Sequence, residues 1–319
     1  MALGDFDVLM HLPLADGDSL TMGDLAERAG PTGLAPEDQP DQRERRPHLA
    51  LLRTLGAGRY RQCMRNGMAV SSSPVTVREA HTIWHEQGGW FDARWHFSFD
   101  RYSDPEQEGV GALRVFNDDR IVAGAEWPMH PHRDIESLTY VVSGDFLHAD
   151  SLGNNGRLTA GAAQAMTFSH GGDQHSEKNG SGDEPMRFIQ FWILPSTRGL
   201  QTRVQQRQYE IEDRTDRWLQ IMGPAGTDGL DLAQDARALV SYLTEAGRLD
   251  HAFGPGRGGY LYVIDGRLSL NGDTLKTGDA AKVTSEAHLE MSTDVGAELI
   301  LIEVPLRYEP IGVWAGEFG

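Results

Sequence analysis

A chain of 319 residues has room for about two domains with their own cores, and its formal net charge of −18 argues against nonspecific binding to nucleic acid or an anionic membrane. The one cysteine, Cys63, excludes a disulfide framework and suits a reducing compartment, and no apolar run approaches the length of a membrane span. The N-terminus MALGDFDVLM carries acids where a secretion signal would be positive, so a cytoplasmic location is expected.

Residues 1–67 differ from everything after them. Pro31, Pro36, Pro40 and Pro47 are scattered among acids and the run Arg43-Glu44-Arg45-Arg46, and the two candidate short helices (20–29 and 48–55) lack a sustained apolar face. The segment reads as a disordered extension or as upstream sequence ahead of a true start at Met68, with the second preferred. In neither case is it expected to carry chemistry.

From Val75 the pattern turns β-like. Val75-Thr76-Val77-Arg78 predicts a strand able to pair with the far domain. Residues 90–99 interleave aromatics with Arg94, His96 and Ser98, and 104–111 read as a loop. Residues 114–122 read as two short runs flanking a polar turn at Asn117-Asp118-Asp119.

The stretch from Gly124 to Glu177 holds the chemistry. In an extended strand, residues i and i+2 share a face, so His130 and His132 project together. His175 and Glu177 do the same if their segment is also extended. Facing one another, the two pairs give three imidazoles and a carboxylate, a set that suits a divalent transition metal with a position left for water or substrate. With no thiolate in the set, iron, nickel, manganese, cobalt, copper and zinc all stay open, at one ion per chain. Glu136 would share the face of His132 in an unbroken strand, but about 13 Å further along at roughly 3.3 Å per residue, so it suits orienting an imidazole better than ligation.

Downstream, 186–194 (MRFIQFWIL) predict a central strand that Pro195 ends, and 201–209 read as linker and crossover. A weak internal repeat follows: Tyr140 to Phe146 aligns with Tyr262 to Leu268, and Leu158 to Gly161 with Leu275 to Gly278. Carried back, the offset puts Ala252, Gly254 and Gly258 at the places of His130, His132 and Glu136, so the second copy keeps the framework without the ligands. His251 and His288 read as surface or loop histidines, while His81, His85, His148 and His170 read as structural. Trp84, Trp90, Trp95 and Trp192 are expected in the core. The run ELILIEV (298–304) is apolar almost throughout, as a strand buried on both faces would be.

The spacing G-x5-HxH-x3-E-x7-G closely resembles the first cupin motif. The segment MHPHRDIESLTYVVSGDFLHADSLGNNG followed by HSE resembles the pirin branch of that superfamily, as do WHFSFDRYSDP and LRVFNDDRIVAGA. The likeness runs from Val75 to the C-terminus and is strongest between Trp95 and Trp192. It implies an all-β bicupin: two cupin-type barrels packed face to face, 68–200 with the metal site and 201–319 without ligands. His96 would then lie in a segment lining the barrel mouth, either as a packed residue with one hydrogen bond or as a catalytic one. The pirin pattern takes its carboxylate two residues after the third histidine, so the implied ligands are His130, His132, His175 and Glu177; the generic cupin pattern would use Glu136.

The activity implied is that of quercetin 2,3-dioxygenase, in which a flavonol reacts with O2 and its central ring opens, with Glu177 as base. The rival expectation is a metal- or redox-sensing regulator that binds a transcription factor or other protein partner. An open cleft above the ligands would favour the enzyme, and a closed one the sensor.

Overall fold

The computed structural model describes residues 73–312, together with a two-residue ladder between Leu12–Pro13 and Ser19–Leu20. The expectation for residues 1–67 otherwise falls outside the described residues. Apart from two short 3-10 turns (Ala80–Thr82 and Ile211–Arg214), the regular elements in 73–312 are strands.

The first half contributes β1 (Val75–Arg78), β2 (Trp84–Gln87), β3 (Phe91–Trp95), β4 (Leu113–Ile121), β5 (Glu126–His132), β6 (Ile135–Ser143), β7 (Phe146–Asp150), β8 (Asn155–Leu158), β9 (Ala162–Phe168), β10 (Asp173–Asn179), β11 (Met186–Ile193) and β12 (Arg203–Gln208). The second contributes β13 (Leu219–Pro224), β14 (Leu230–Leu232), β15 (Arg237–Leu243), β16 (Arg248–Ala252), β17 (Arg257–Leu270), β18 (Asp273–Lys276), β19 (Ala280–Val283), β20 (His288–Ser292) and β21 (Ala297–Pro305).

In the first barrel a four-stranded sheet, β8-β7-β10-β5, faces a seven-stranded sheet, β12-β9-β6-β11-β4-β3-β2. In the second, the order β14-β13-β15-β21-β17-β19-β1 is joined by β16, β18 and β20 through β17. Strand β1 pairs antiparallel with β19 of the second barrel, as expected for a strand that reaches the far domain. Residues 201–209 differ from their reading as linker: β12 hydrogen-bonds along β9 and forms the edge of the first barrel. Its side chains are mostly exposed, with Val204 the one that packs, so no apolar pattern announces the strand.

Each barrel has its own interior, and a third cluster fills the space between them. Leu261, Val263, Leu268, Leu299 and Leu301 pack inside the second barrel. Phe116, Tyr140, Phe191, Tyr260, Tyr262, Ile300 and Ile302 are fully buried or nearly so between the barrels. Buried polar ties cross the same plane: the Tyr140 hydroxyl donates to Glu298, and Tyr262 donates to Asp118.

Asn117, Asp118 and Asp119 are not a turn; they lie in the middle of the unbroken strand β4. Alternation sends Asp118 toward the second barrel, where Arg187 Nε and Nη2 donate to its two oxygens at 2.9 and 2.7 Å. Burial alone would raise the Asp118 carboxyl, but Arg187, Arg120 and Tyr262 outweigh it and hold the group below the usual range. Asn117 and Asp119 face the other way, into the first barrel.

His96 takes the packed reading, with one side-chain hydrogen bond, rather than the catalytic one. Its neighbours Trp95, Phe99 and Arg101 do line the mouth of the first barrel, yet the His96 ring points back between the barrels, with Nδ1 2.8 Å from the Tyr260 hydroxyl. His251 is on strand β16 rather than on a loop, largely buried, with Nε2 2.9 Å from the Glu303 carboxylate that Arg257 also binds.

Candidate metal centre

The site is built on two antiparallel strands, β5 and β10, with His130 directly opposite His175. Alternation along β5 buries His130 and His132 and leaves Met129 exposed between flanking positions. A bulge between His175 and Glu177 shifts the register, so that Glu177 lies opposite Trp127 while remaining buried. The three imidazole centroids are 4.6, 4.8 and 5.0 Å apart, and each ring offers a nitrogen within 4.8 Å of the others. Among the described residues this is the one such grouping of histidine, cysteine and acidic side chains.

Protonation favours ligation. The Pro128 carbonyl can only accept, so His130 Nδ1, 2.7 Å away, carries the proton and Nε2 presents its lone pair. Burial pushes His130 down to about 4 and His132 and His175 well below the usual imidazole range, so all three are neutral at physiological pH. Both ring nitrogens of His175 and Nδ1 of His132 are buried without a protein partner. Unpartnered buried nitrogens are costly, and an ion at this point would satisfy them. The donor set therefore fits a divalent metal.

Glu177 is beside the triad and outside its tightest grouping. Its Oε1 lies 4.0 Å from His175 Nδ1 and accepts from Gln190 Nε2. With no ion present, burial raises the carboxyl to about 8, partly offset by the Gln190 hydrogen bond. Glu136 does something else. The chain reverses at Asp134, whose φ is 52°, so His132 and Glu136 belong to different strands and the unbroken-strand premise fails. Its two oxygens accept the backbone N–H groups of Ala233 and Gln234 at 2.8 and 3.1 Å, which ties β6 to the second barrel rather than orienting an imidazole.

A narrow cleft lies beside His130 and His132 between Trp95, Trp127 and Trp192, with free space of about 20 Å3, enough for little more than a water molecule. Trp95 and Trp192 are core residues, as expected, and at the same time walls of this cleft. Three residues with no assigned role in the sequence reading also reach it: Asn117, Asp119 and Gln190. Gln190 carried a readable signal, a polar residue flanked by Phe188, Ile189, Phe191 and Trp192 in the run MRFIQFWIL, because a buried amide needs a partner. His148, read as merely structural, is buried across from Glu177 with its ring 5.8 Å from that of His175. In the second barrel the interior is filled mostly by aliphatic side chains, with Phe253 and Met291 among them.

Residues 76–193 match the Pirin family model, and 205–304 match that of the quercetinase C-terminal cupin domain. The quercetin 2,3-dioxygenase of Escherichia coli K12 is 34% identical over 233 residues, covering 72% of this chain and 99% of that protein. The chain belongs to the pirin family. A pirin-like protein of Caulobacter vibrioides is 36% identical over 217 residues, 67% of this chain and 93% of the relative. The crystal structure of the Escherichia coli pirin YhhW in complex with nickel(II) superposes with a TM-score of 0.68 at 32% identity, over 74% of this chain and all of that one. As in that fold, two cupin domains make this pirin a bicupin. Among the described residues, no helix is long and apolar enough to cross a membrane.

Proposed function

We propose that this pirin is a metal-dependent dioxygenase of the quercetin 2,3-dioxygenase type, with His130, His132, His175 and Glu177 holding one ion and a flavonol and O2 as substrates. The observation that carries the reading is the convergence of three neutral, buried imidazoles, with unpartnered nitrogens on His132 and His175 and with His130 and His132 reaching an aromatic cleft. The relatives' named activity and the nickel complex of YhhW support the same reading. Iron leads among the candidate ions, and the place of action is the cytoplasm.

The bound ion supplies Lewis acidity toward the flavonol oxygens and redox chemistry toward O2. The protein's share is positional. Trp95 and Trp192 give flat apolar walls that seat a planar ring system and exclude water. A carboxylate at Glu177 takes the proton of the substrate's 3-hydroxyl, and Gln190 holds its Oε1 in place. The cleft reaches His130 and His132, but its free space of about 20 Å3 is too small for a flavonol, so its width does not favour the enzyme over a closed sensor.

The deciding experiment is metal analysis of protein purified without added metal, followed by O2 uptake with quercetin. About one transition metal per chain and chelator-sensitive, quercetin-dependent uptake are expected; metal-loaded protein with no uptake would sink the proposal.

The two glutamates separate cleanly. Replacing Glu177 by Gln is expected to lower turnover by about 10²- to 10⁴-fold, the range for losing a general base. Glu136→Gln keeps an acceptor for one of the two N–H groups and, being apart from the triad, should leave turnover within about threefold in protein that folds; the opposite ranking would restore Glu136 as the ligand. Ion uptake by Glu177 also has a pH signature. The carboxyl is raised to about 8 without the ion and must lose its proton to ligate, so uptake should strengthen as pH rises through about 8 and then level off. In the ion-free protein the sign for folding is opposite: the folded state holds the proton longer, so this group's contribution to stability falls as pH climbs from the ordinary carboxylate range to about 8. Titrating metal affinity between pH 6 and 9 checks the first, and a pH-independent affinity would count against Glu177 as a ligand.

A further inference from the structure

Two oxygens in the cleft are left over by everything described so far. Asn117 and Asp119 are two residues apart on β4, so their side chains share a face about 7 Å apart along the strand. They are 2% and 4% exposed, line the same cleft as His130 and His132, and each has an Oδ1 atom with no protein partner. Asp118 between them is fully engaged by Arg187 and Tyr262, so the strand is not merely loose in its hydrogen bonding. Two buried acceptors without donors in one cavity are uncommon in a folded protein and call for a partner from outside.

The chemistry of that partner is constrained. Gln190 Nε2 is committed to Glu177 and Arg101 to Glu86, while the Trp192 indole N–H, which also lines the cleft, has no protein partner. The flanking walls are Trp95 and Trp192, which suit a flat aromatic ring. We propose that Asn117 and Asp119 are the specificity-determining residues of this site, accepting hydrogen bonds from free ring hydroxyls of a polyhydroxylated aromatic substrate. The inference rests on the flavonol reading above and adds to it: the ligands select the reacting oxygens, and β4 selects the hydroxylation of the rest of the molecule. A site built to accept a hydroxyl discriminates strongly against an analogue lacking it, because its own buried acceptors are then left unpaired.

The test compares quercetin with 3-hydroxyflavone, which keeps the reacting oxygens and lacks the ring hydroxyls. Both kcat/KM and the dissociation constant, the latter from quenching of tryptophan fluorescence, are measured for metal-loaded wild type, Asn117→Leu, Asp119→Leu and Asp119→Asn. The leucines are near-isosteric and remove the acceptor; melting temperatures identify any variant that fails to fold. Wild type should prefer quercetin. Each leucine variant should reduce the quercetin to 3-hydroxyflavone ratio by about tenfold or more, while Asp119→Asn, which keeps an acceptor, stays within about threefold. Equal losses for both substrates, or an unchanged ratio, would show that water satisfies these atoms and would overturn the proposal with the dioxygenase reading intact. Selective binding of quercetin that collapses in the leucine variants, without turnover of either flavonol, would uphold the recognition and remove the dioxygenase reading. Wild type that neither binds nor turns over quercetin removes both.

Discussion

Replacing His175 by Ala is expected to reduce bound metal from about one per chain to a small residue and to abolish quercetin-dependent O2 uptake, while the protein stays folded. His175 is fully buried, its ring lies 4.6 and 5.0 Å from those of His130 and His132, and neither of its nitrogens has a protein partner. Loss of an outer group that merely orients a ligand already costs about 10- to 100-fold in affinity, so loss of a ligand should exceed that. The fold should survive because β10 is held by its ladders to β5 and β7, which the substitution does not touch. The cavity left by the imidazole is partly compensated, since two buried unpartnered nitrogens leave with it. Elemental analysis and melting with and without chelator check this together. Wild type should lose stability on chelation by mass action and the variant should not. A variant that retains full stoichiometric metal would mean that the ion is held elsewhere.

How far the sequence reveals this site depends on which physical rule governs each residue. The three clustered histidines are legible because strand periodicity fixes their faces, and the bulge at Glu177 leaves it buried all the same. Glu136 is misplaced by the same rule, since period two holds only until the chain turns, and the reversal at Asp134 is not visible in residue types alone. Polar Asn117-Asp118-Asp119 imitates a turn because an isolated sequence cannot tell solvent from two buried destinations: an arginine in one direction, a cleft in the other. Strand β12 hides for the converse reason. An edge strand with one packed side chain, Val204, has almost no apolar signal, and its register with β9 comes from backbone bonding. The exchange of β1 into the second barrel was legible, by contrast, since the valine-rich run announces a strand and the likeness to a two-barrel family offers it a partner.

The second substitution with a large expected effect lies far from the metal. Ile302 is fully buried on β21, the strand hydrogen-bonded to both β15 and β17, with Ala238 and Tyr260 as its register partners. Along β21 the faces divide: Leu299 and Leu301 fill the second barrel, whereas Ile300 and Ile302 join Phe116, Tyr140 and Phe191 between the barrels. A charge at Ile302 would be desolvated with no cation to pair with, or would have to stay protonated, and the lost aliphatic volume would leave a void besides. Substitutions of this kind cost about 4–5 kcal/mol or more against a typical total of about 5–15 kcal/mol. Ile302→Asp is therefore expected to be insoluble or to lack a cooperative melting transition. Ile302→Val removes one methyl group, should cost about 0.5–1.5 kcal/mol, and should keep the wild-type metal stoichiometry. That pairing separates a structural second barrel from one that tunes the metal: the loss should track packing, with metal affinity unchanged in every variant that folds. A well-folded Ile302→Asp protein, or an Ile302→Val protein with normal stability and weakened metal binding, would contradict this division between the two barrels.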